Sequence, residues 1–512
     1  MELHSLVTDS DITIWWDTEG VNVSEYEVSI DGNVSRTNKT HYIWDNLNAD
    51  TEYNIEVKAY LSDKEMENVE EESVKESSIK ESSIKVRTSK IKRKIDITKE
   101  PYNAIGDGKT MNTAVIQKAF DACGKGDQIF FPKGDYMTGA LRLHSDMEIY
   151  LDEGAILHGT ADFHDYLPMI KSRFEGIENM SYSSLLNAGE LDHNSGPNCS
   201  NILIRGKGEI RSGGQKLGMA IIEDETHKQK EYLESLGDKI KEYETDHTIQ
   251  GRVRPRLINL SNCSNVRITG VTLSDGACWN VHMIYCDDIV TDHVTINSYG
   301  VWNGDGWDPD SSTNCTLFAT VFNTGDDGVA IKSGKNPEGN IVNRPSEHIR
   351  VFDCVSKMGH GICIGSEMSG GVSDVRIWDC DLSDSWCGIE IKGTKKRGAY
   401  VRDIHVSDCH TSRILMHSVL YNDDGERVSP HPPVFEDCLF ERVYIQGHYT
   451  DQHDFEGGGI KESPAIELYG FDEEGYEIKN LKFKDIVIED RKVQSIRMQH
   501  CKGISFENIS FI

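Results

Sequence analysis

Two kinds of hydrophobic patterning divide the chain. Up to about residue 88, apolar and polar residues alternate in short bursts: Ile12-Thr13-Ile14-Trp15-Trp16, Tyr26-Glu27-Val28-Ser29-Ile30 and Tyr53-Asn54-Ile55-Glu56-Val57. Turn residues such as Asp31-Gly32-Asn33 separate the bursts, which predicts short antiparallel strands. From about residue 200 a different unit recurs: a small polar residue, then alternating apolar positions, then a second short strand. It is written as Asn265-Val266-Arg267-Ile268, Asp288-Ile289-Val290-Thr291, His348-Ile349-Arg350-Val351 and Asp374-Val375-Arg376-Ile377. It returns at Asp403-Ile404-His405-Val406, Asn480-Leu481-Lys482-Phe483 and Gly503-Ile504-Ser505-Phe506. Where the pattern is continuous its spacing is that of a solenoid coil of three short strands joined by variable turns. Helices are few, the clearest being Thr113 to Cys123, an N-terminal cap, and His227 to Glu244, an insertion.

The fold class expected is therefore all-β: a right-handed parallel β-helix over 98–512, preceded by a small β-sandwich over 1–88 and a linker over 89–97. In the sandwich, Leu47-Asn48-Ala49-Asp50-Thr51-Glu52-Tyr53 resembles the tyrosine-corner segment of fibronectin type III domains, and Trp16 resembles their core tryptophan. The stretch 61–96 is rich in Glu, Lys and Ser and carries a tandem ESSIK duplication, Glu76 to Lys80 and Glu81 to Lys85. It reads as a charged loop followed by a last sandwich strand, Ser83 to Thr88, and a basic stretch, Lys90 to Lys94.

Charge narrows the partners. A net charge of -31 opposes phosphate binding, so nucleic acid is excluded as a partner. It also demands local positive charge at any site that binds an anionic polymer. No apolar run approaches the roughly 20 residues of a membrane span. The start, MELHSLVTDSDITIWW, lacks a secretory signal's basic and apolar regions, so a cytoplasmic location is expected for the chain as it stands, and a secreted one if a leader precedes it. Thirteen cysteines, with no CxxC pair, favour reduced buried thiols. Asp353-Cys354, Asp379-Cys380, Asp408-Cys409 and Asp437-Cys438 each follow a repeat strand and would stack as an interior ladder. Four ligands in a line do not suit zinc, so no metal or cofactor is expected.

The candidate chemistry lies in Asn303-Gly304-Asp305-Gly306-Trp307-Asp308-Pro309-Asp310, Thr324-Gly325-Asp326-Asp327-Gly328, Gly359-His360-Gly361 and Gly388-Ile389-Glu390-Ile391-Lys392-Gly393. Each motif alone is an ordinary turn. In order and at coil spacing, they bring Asp305, Asp326, Asp327, His360 and Lys392 into one groove, because adjacent coils stack about 4.8 Å apart. Flanking glycines would let a polymer approach the backbone. Glycoside hydrolysis needs a protonated carboxyl and an ionised one, and crowded carboxylates separate their own pKa values.

These segments resemble the polygalacturonase family, glycoside hydrolase family 28, whose motifs are Asn-x-Asp, Gly/Gln-Asp-Asp, Gly-His-Gly and Arg-Ile-Lys. The resemblance covers about 98–512 and includes Ala104 to Thr110, Phe131 to Tyr136 and Gly154 to Thr160. It implies an inverting hydrolase of pectic galacturonides, with Asp326 as general acid, Asp305 and Asp327 activating water, and His360 tuning the acid. Asn303 and Lys392 would meet the substrate, Lys392 at its carboxylate. Glu390 departs from the motif, standing where the family has arginine. Lys395, Lys396, Arg397 and Arg402 are candidates to compensate, as are Lys332 and Arg344. The fibronectin-like domain resembles that of bacterial exo-acting members, and segment 161–260 would wall off one end of the groove. The departure at Glu390 leaves rhamnogalacturonan or another branched pectin as an alternative substrate. A calcium-dependent pectate lyase and a non-catalytic carbohydrate-binding solenoid are the competing classes. The roles of Trp279, His282, His417 and Tyr421 stay open, as does the oligomeric state.

Overall fold

The computed structural model describes residues 1–17, 22–61, 79–451, 459–489 and 493–512. The chain divides into two compact units, Met1–Arg93 and Lys94–Ile512.

In the first unit, His4–Val7, Ile12–Trp15 and His41–Trp44 form a three-stranded antiparallel sheet. Asn33–Thr37, Val23–Ile30, Glu52–Leu61 and Ile79–Arg87 form a four-stranded one. Alternation puts Ile12, Ile14, Val28, Ile55 and Val57 into a shared core, with Trp16 buried edge-on against Tyr26. The Tyr53 hydroxyl accepts from the backbone N–H of Asn48 at 3.0 Å, closing the corner that the sequence suggested. The second ESSIK copy lies inside the last strand, which starts earlier than Ser83. Most of the charged loop, 62–78, with part of the first copy, lies outside the described residues.

The second unit begins inside the stretch expected to be a linker. Arg93–Asp96 is a strand, and Ile95 and Ile97 are buried in the core of the second unit, so these residues are structural rather than connecting. Helix Thr113–Asp121 packs Ile116, Ala119 and Phe120 onto the same core. Beyond it the chain coils as a parallel β-helix. One face carries eleven parallel strands in chain order, from Leu141–Arg142 to Ile496–Gln499. The other two strands of each coil join a second continuous parallel ladder. The helical insertion also differs from expectation. It starts at Gly214, runs to Lys228, resumes as Lys230–Leu236 and ends in a 3-10 turn, Gly237–Glu242.

The small polar residue that opens each repeat has a backbone reason. Asn265, Asp288, His348, Asp374, Asp403 and Asn480 have φ between 48° and 57°, and Gly503 has 68°. Each turns the chain through the left-handed region, which Asn, Asp and Gly enter at least cost. The apolar positions after this corner then alternate inward, as Val266 and Ile268 or Ile404 and Val406 do. Side chains tie the corners together: Arg267 reaches Asp288 at 2.8 Å, and Arg376 reaches Asp403 at 2.9 Å. Aromatic side chains stack between coils as well, with the rings of Phe318, Phe352 and Trp378 nearly parallel at centroid separations of 4.9 and 4.3 Å.

Twelve of the thirteen cysteines are buried, and all are free thiols. Cys354, Cys380 and Cys409 form the ladder expected of them, close enough to interact electrostatically with their neighbours. Cys438 does not belong to it. It sits in mid-strand in register with Ile404, because Asp437 occupies the opening corner of its repeat (φ 54°) rather than the corner that follows the strand.

The left-handed corners generate a test. Asp403→Val should cost about 1–2 kcal/mol more than Asp403→Gly, since both lose the Arg376 pair but only valine is strained at positive φ. Denaturant unfolding of the two variants checks this, and equal stabilities would contradict it.

Candidate active site

The eleven-stranded face explains how distant motifs converge. Along it, Trp307 pairs with Val329, Val329 with Ile362, Ile362 with Ile389, and Ile389 with Ile414. Trp307, Ile331, Ile364, Ile391 and Met416 point into the coil core. By the period of two, Lys332, Glu390, Lys392, Leu415 and His417 face outward, and all five line one cavity of about 460 Å³. Asp305, Asp326, Asp327 and His360 occupy the turns leading into these strands. The turns stack through the backbone: Gly306 donates to Asp327, Gly328 to Gly361 and His360 to Asp326, at 2.9–3.0 Å.

This stacking revises the reading of the glycines. A Cβ on Gly306 would lie 2.4 Å from the Gly328 carbonyl, and one on Gly361 would lie 2.2 Å from that of Gly388. The neighbouring coil, not an approaching polymer, requires glycine there.

The cluster is a set of interlocked ion pairs. His360 Nδ1 lies 2.9 Å from Asp327 and 3.1 Å from Asp326. Lys392 Nζ lies 3.4 Å from Asp327 and 3.1 Å from Glu390. Glu390 also accepts from His417 at 2.6 Å. Lys332 sits 3.2 Å from Asp305 and 3.6 Å from Glu367, over the Trp279 ring. Asn303 donates to Asp326 at 3.3 Å and is itself held by Arg254 at 2.6 Å.

These contacts separate the acids. Burial pushes the Asp305 carboxyl well up; Lys332 opposes this, but Asp326 and Asp327 reinforce the rise. Burial acts on Asp327 too, yet Lys392 and His360 outweigh it and hold that carboxyl well below the usual range. His360 is disfavoured as a cation by burial, but Asp326 above all raises it well past the ordinary imidazole value. Asp326 is the most open of the three acids, with 23% of its side chain exposed against 4% for each of the others. Asp308, on the strand after Asp305, is fully buried with neither oxygen hydrogen-bonded among the described residues, and burial and then Asp305 push it strongly toward the neutral acid. The site thus offers one open carboxyl beside one held neutral and one held ionised, the combination that acid–base chemistry uses.

A cation would find ligand atoms of Asp326, Asp327 and His360 within 4.8 Å of one another. However, the His360 Nδ1–H already spans the two carboxylates, and the Lys332 and Lys392 ammoniums supply the compensating charge.

Three expected substrate ligands lie elsewhere. Arg397 is fully buried, donating to Ser366 O, Asn336 Oδ1 and Asn422 O, so its guanidinium holds loops together. Lys396 donates to Asp423 O at 2.5 Å and does not line the cavity. Arg402 lies exposed on another face of the coil, over Tyr400 at 4.2 Å. All three belong to the turn and strand after Lys392, where the chain has left the cavity face. Arg344 stacks on Tyr285, also outside the cavity. Lys332 does belong to it, as do Trp279, His417 and Tyr421; His282 is buried against Asp310 instead. Sequence reasoning missed Glu367, Trp386, Arg413, Glu175 and Glu244, all of which line the cavity. The coil register placed Arg413 beside the 388–392 motif and could have found it. Nothing local marks Glu175 or Glu244, which come from the long segment before residue 260.

A parallel β-helix carrying acids of divided protonation in a pocket is the framework of a polysaccharide-cleaving enzyme. The family model for glycosyl hydrolases family 28 matches residues 128–430, and the chain belongs to that family. It is 26% identical over 495 residues to the exo-poly-alpha-D-galacturonosidase of Dickeya chrysanthemi, spanning 91% of this chain and 77% of that one. Among solved structures it resembles the family 28 exopolygalacturonase of Yersinia enterocolitica, with TM-score 0.72 and 20% identity over 99% of this chain and 98% of that one, a likeness of fold. It also resembles the hyperthermoactive exopolygalacturonase of Thermotoga maritima, with TM-score 0.64 and 25% identity over 82% and 91% of the two chains.

Glu390 generates the test of this electrostatic frame. Burial raises its carboxyl, but Lys392 and His417 reverse that and hold it well below the usual range. Its contribution is therefore present above the unfolded pKa of about 4.3 and is lost as pH falls through the depressed folded value. Glu390→Gln should cost roughly 3–5 kcal/mol near neutrality by taking a carboxylate from the buried Lys392 ammonium. The gap to wild type should shrink in acid, and a gap independent of pH in unfolding experiments would contradict the assignment.

Proposed function

We propose that this protein hydrolyses the α-1,4-galacturonosidic bonds of pectin-derived galacturonides from a chain end, with inversion. The observation that carries the reading is the acid triad inside a walled cavity. Asp326, the most open acid, protonates the leaving oxygen. Asp327, held ionised beside Lys392, takes the proton of the water that attacks from the opposite face, and Asp305, braced by Lys332, positions that water. His360 bridges Asp326 and Asp327 and sets their balance, and Asn303 orients Asp326. Glu175 and Glu244 belong to the segment expected to wall off the groove, and both contribute to the cavity lining, which favours a terminal unit over the middle of a chain. The relatives in Dickeya and Thermotoga are named for exo action on galacturonan, in keeping with this assignment.

On polygalacturonate, reducing ends should appear from the outset while viscosity stays high, with one short product. Rapid loss of viscosity would overturn exo action. Asp326→Asn should lower kcat by about 10²–10⁴-fold with little change in fold. Proton NMR of the first-formed product should show the inverted anomer.

Glu244 adds a pH dependence. It is exposed at the cavity wall, but loss of water on its inner side, then Asp326 and Glu175, push it up to about 7. Above that pH its charge repels an anionic sugar, so KM should climb. Glu244→Gln should flatten the climb, and an identical KM profile in the variant would rule out this role.

A further inference from the structure

The cavity is strongly acidic for one that takes an anionic substrate. Eight carboxyl side chains line it: Glu175, Glu244, Asp305, Asp326, Asp327, Glu367, Glu390 and Glu467. Among the described residues, only three lysines or arginines do so, Lys332, Lys392 and Arg413. Two of those three are already committed, Lys332 to Asp305 and Glu367, and Lys392 to Asp327 and Glu390. The cavity histidines are likewise tied to carboxylates, His360 to Asp326 and Asp327, and His417 to Glu390. A sugar carboxylate brought to either lysine would compete with a buried anion already in place.

Arg413 is different. Among the described residues it has no carboxylate partner. Its Nε donates to Trp386 O at 2.9 Å, and its guanidinium carbon lies over the Tyr449 ring, 4.2 Å from the centroid. Its own carbonyl accepts from Ile389 N at 3.2 Å, which fixes the backbone one coil beyond Glu390 and beside it. With Nε bonded and the group seated over the ring, the guanidinium is pre-oriented, and its terminal N–H groups are the pair suited to a bidentate carboxylate. Trp386, whose backbone carbonyl holds it, packs its ring edge-on against His360 at 4.7 Å, so one residue touches both the arginine and the acid cluster.

The geometry points to Arg413 as the residue that reads the substrate carboxylate, displaced by one coil from position 390, while Glu390 clamps Lys392 and His417. This rests on the galacturonide reading above. It implies selection for the free acid over its methyl ester, because an ester offers no charge and no second strong acceptor to the guanidinium fork.

The test is kinetic, on a short oligogalacturonide and its methyl-esterified counterpart, with wild type, Arg413→Gln and Arg413→Lys. Arg413→Gln should raise KM for the free acid about 10- to 100-fold, as loss of a charge-assisted hydrogen bond does. It should change kcat far less and abolish most of the preference for acid over ester. Arg413→Lys, which keeps the charge but not the fork, should recover part of that preference. A wild-type ratio of acid to ester kcat/KM in Arg413→Gln overturns the proposal. If that variant fails to fold, an unaltered ratio in Arg413→Lys does so. Failure of the wild-type enzyme to cleave either substrate would instead refute the galacturonide reading. In that case calorimetric binding of acid and ester oligomers to wild type and Arg413→Lys decides the arginine's role: loss of acid preference supports it, and equal preference overturns it.

Discussion

The site depends on one constraint: the backbone hydrogen bonds that stack successive coils at about 4.8 Å. Asp305, Asp327, His360 and Arg413 are far apart in sequence, yet ladder bonds between their turns make them neighbours within three or four coils. The glycines of the motifs serve this stacking. Gly306 and Gly361 lack a Cβ because the carbonyl of the next coil occupies that space. Motif spacing and catalytic geometry are thus the same fact seen along and across the chain.

Burial supplies the second condition. Outward-facing positions on a strand or its leading turn are normally wet, but here the cavity wall leaves Asp305, Asp327, Glu390 and Lys392 almost fully shielded. Charges so placed persist only when paired, and the pairing determines the protonation pattern. Lys392 lies between Asp327 and Glu390 and holds both ionised, while Asp305 has one lysine to share with Glu367 and rises. Asp305 and Asp327, buried alike, acquire opposite acidities from where the two lysines sit.

Much of this was legible in the sequence, for identifiable reasons. The repeat pattern marked the coils because each strand begins with a residue able to take positive φ, and the acid motifs fell in order at coil spacing. The sandwich was visible through alternation, Trp16 and the Tyr53 corner. What failed were inferences from proximity in sequence. Lys396, Arg397 and Arg402 follow Lys392 within ten residues, but a coil turns away from a face in fewer, so their charge is used elsewhere. Arg413, a full coil later, is closer in function than any of them. Asp437-Cys438 failed likewise: the dipeptide matched the ladder, but its place in the coil did not. The insertion was misplaced at its start: Leu217, Ile221 and Ile222 recur at helical spacing and are buried, whereas Lys230–Leu236 and Gly237–Glu242 bury no residue against the coils.

The substitution at 390 follows from the same logic. A carboxylate in an anion-binding cavity looks like a defect until its partners are counted. Without Glu390, the buried Lys392 ammonium would lose its second carboxylate and His417 its acceptor. Glu390 fixes Lys392 against Asp327, the acid that must stay ionised. A position occupied by a cation in one relative can therefore carry an anion in another without reversing the chemistry, provided that a cation on the adjacent coil reaches the same space. In a solenoid that condition is easily met, because every outward position has a neighbour one coil away on either side.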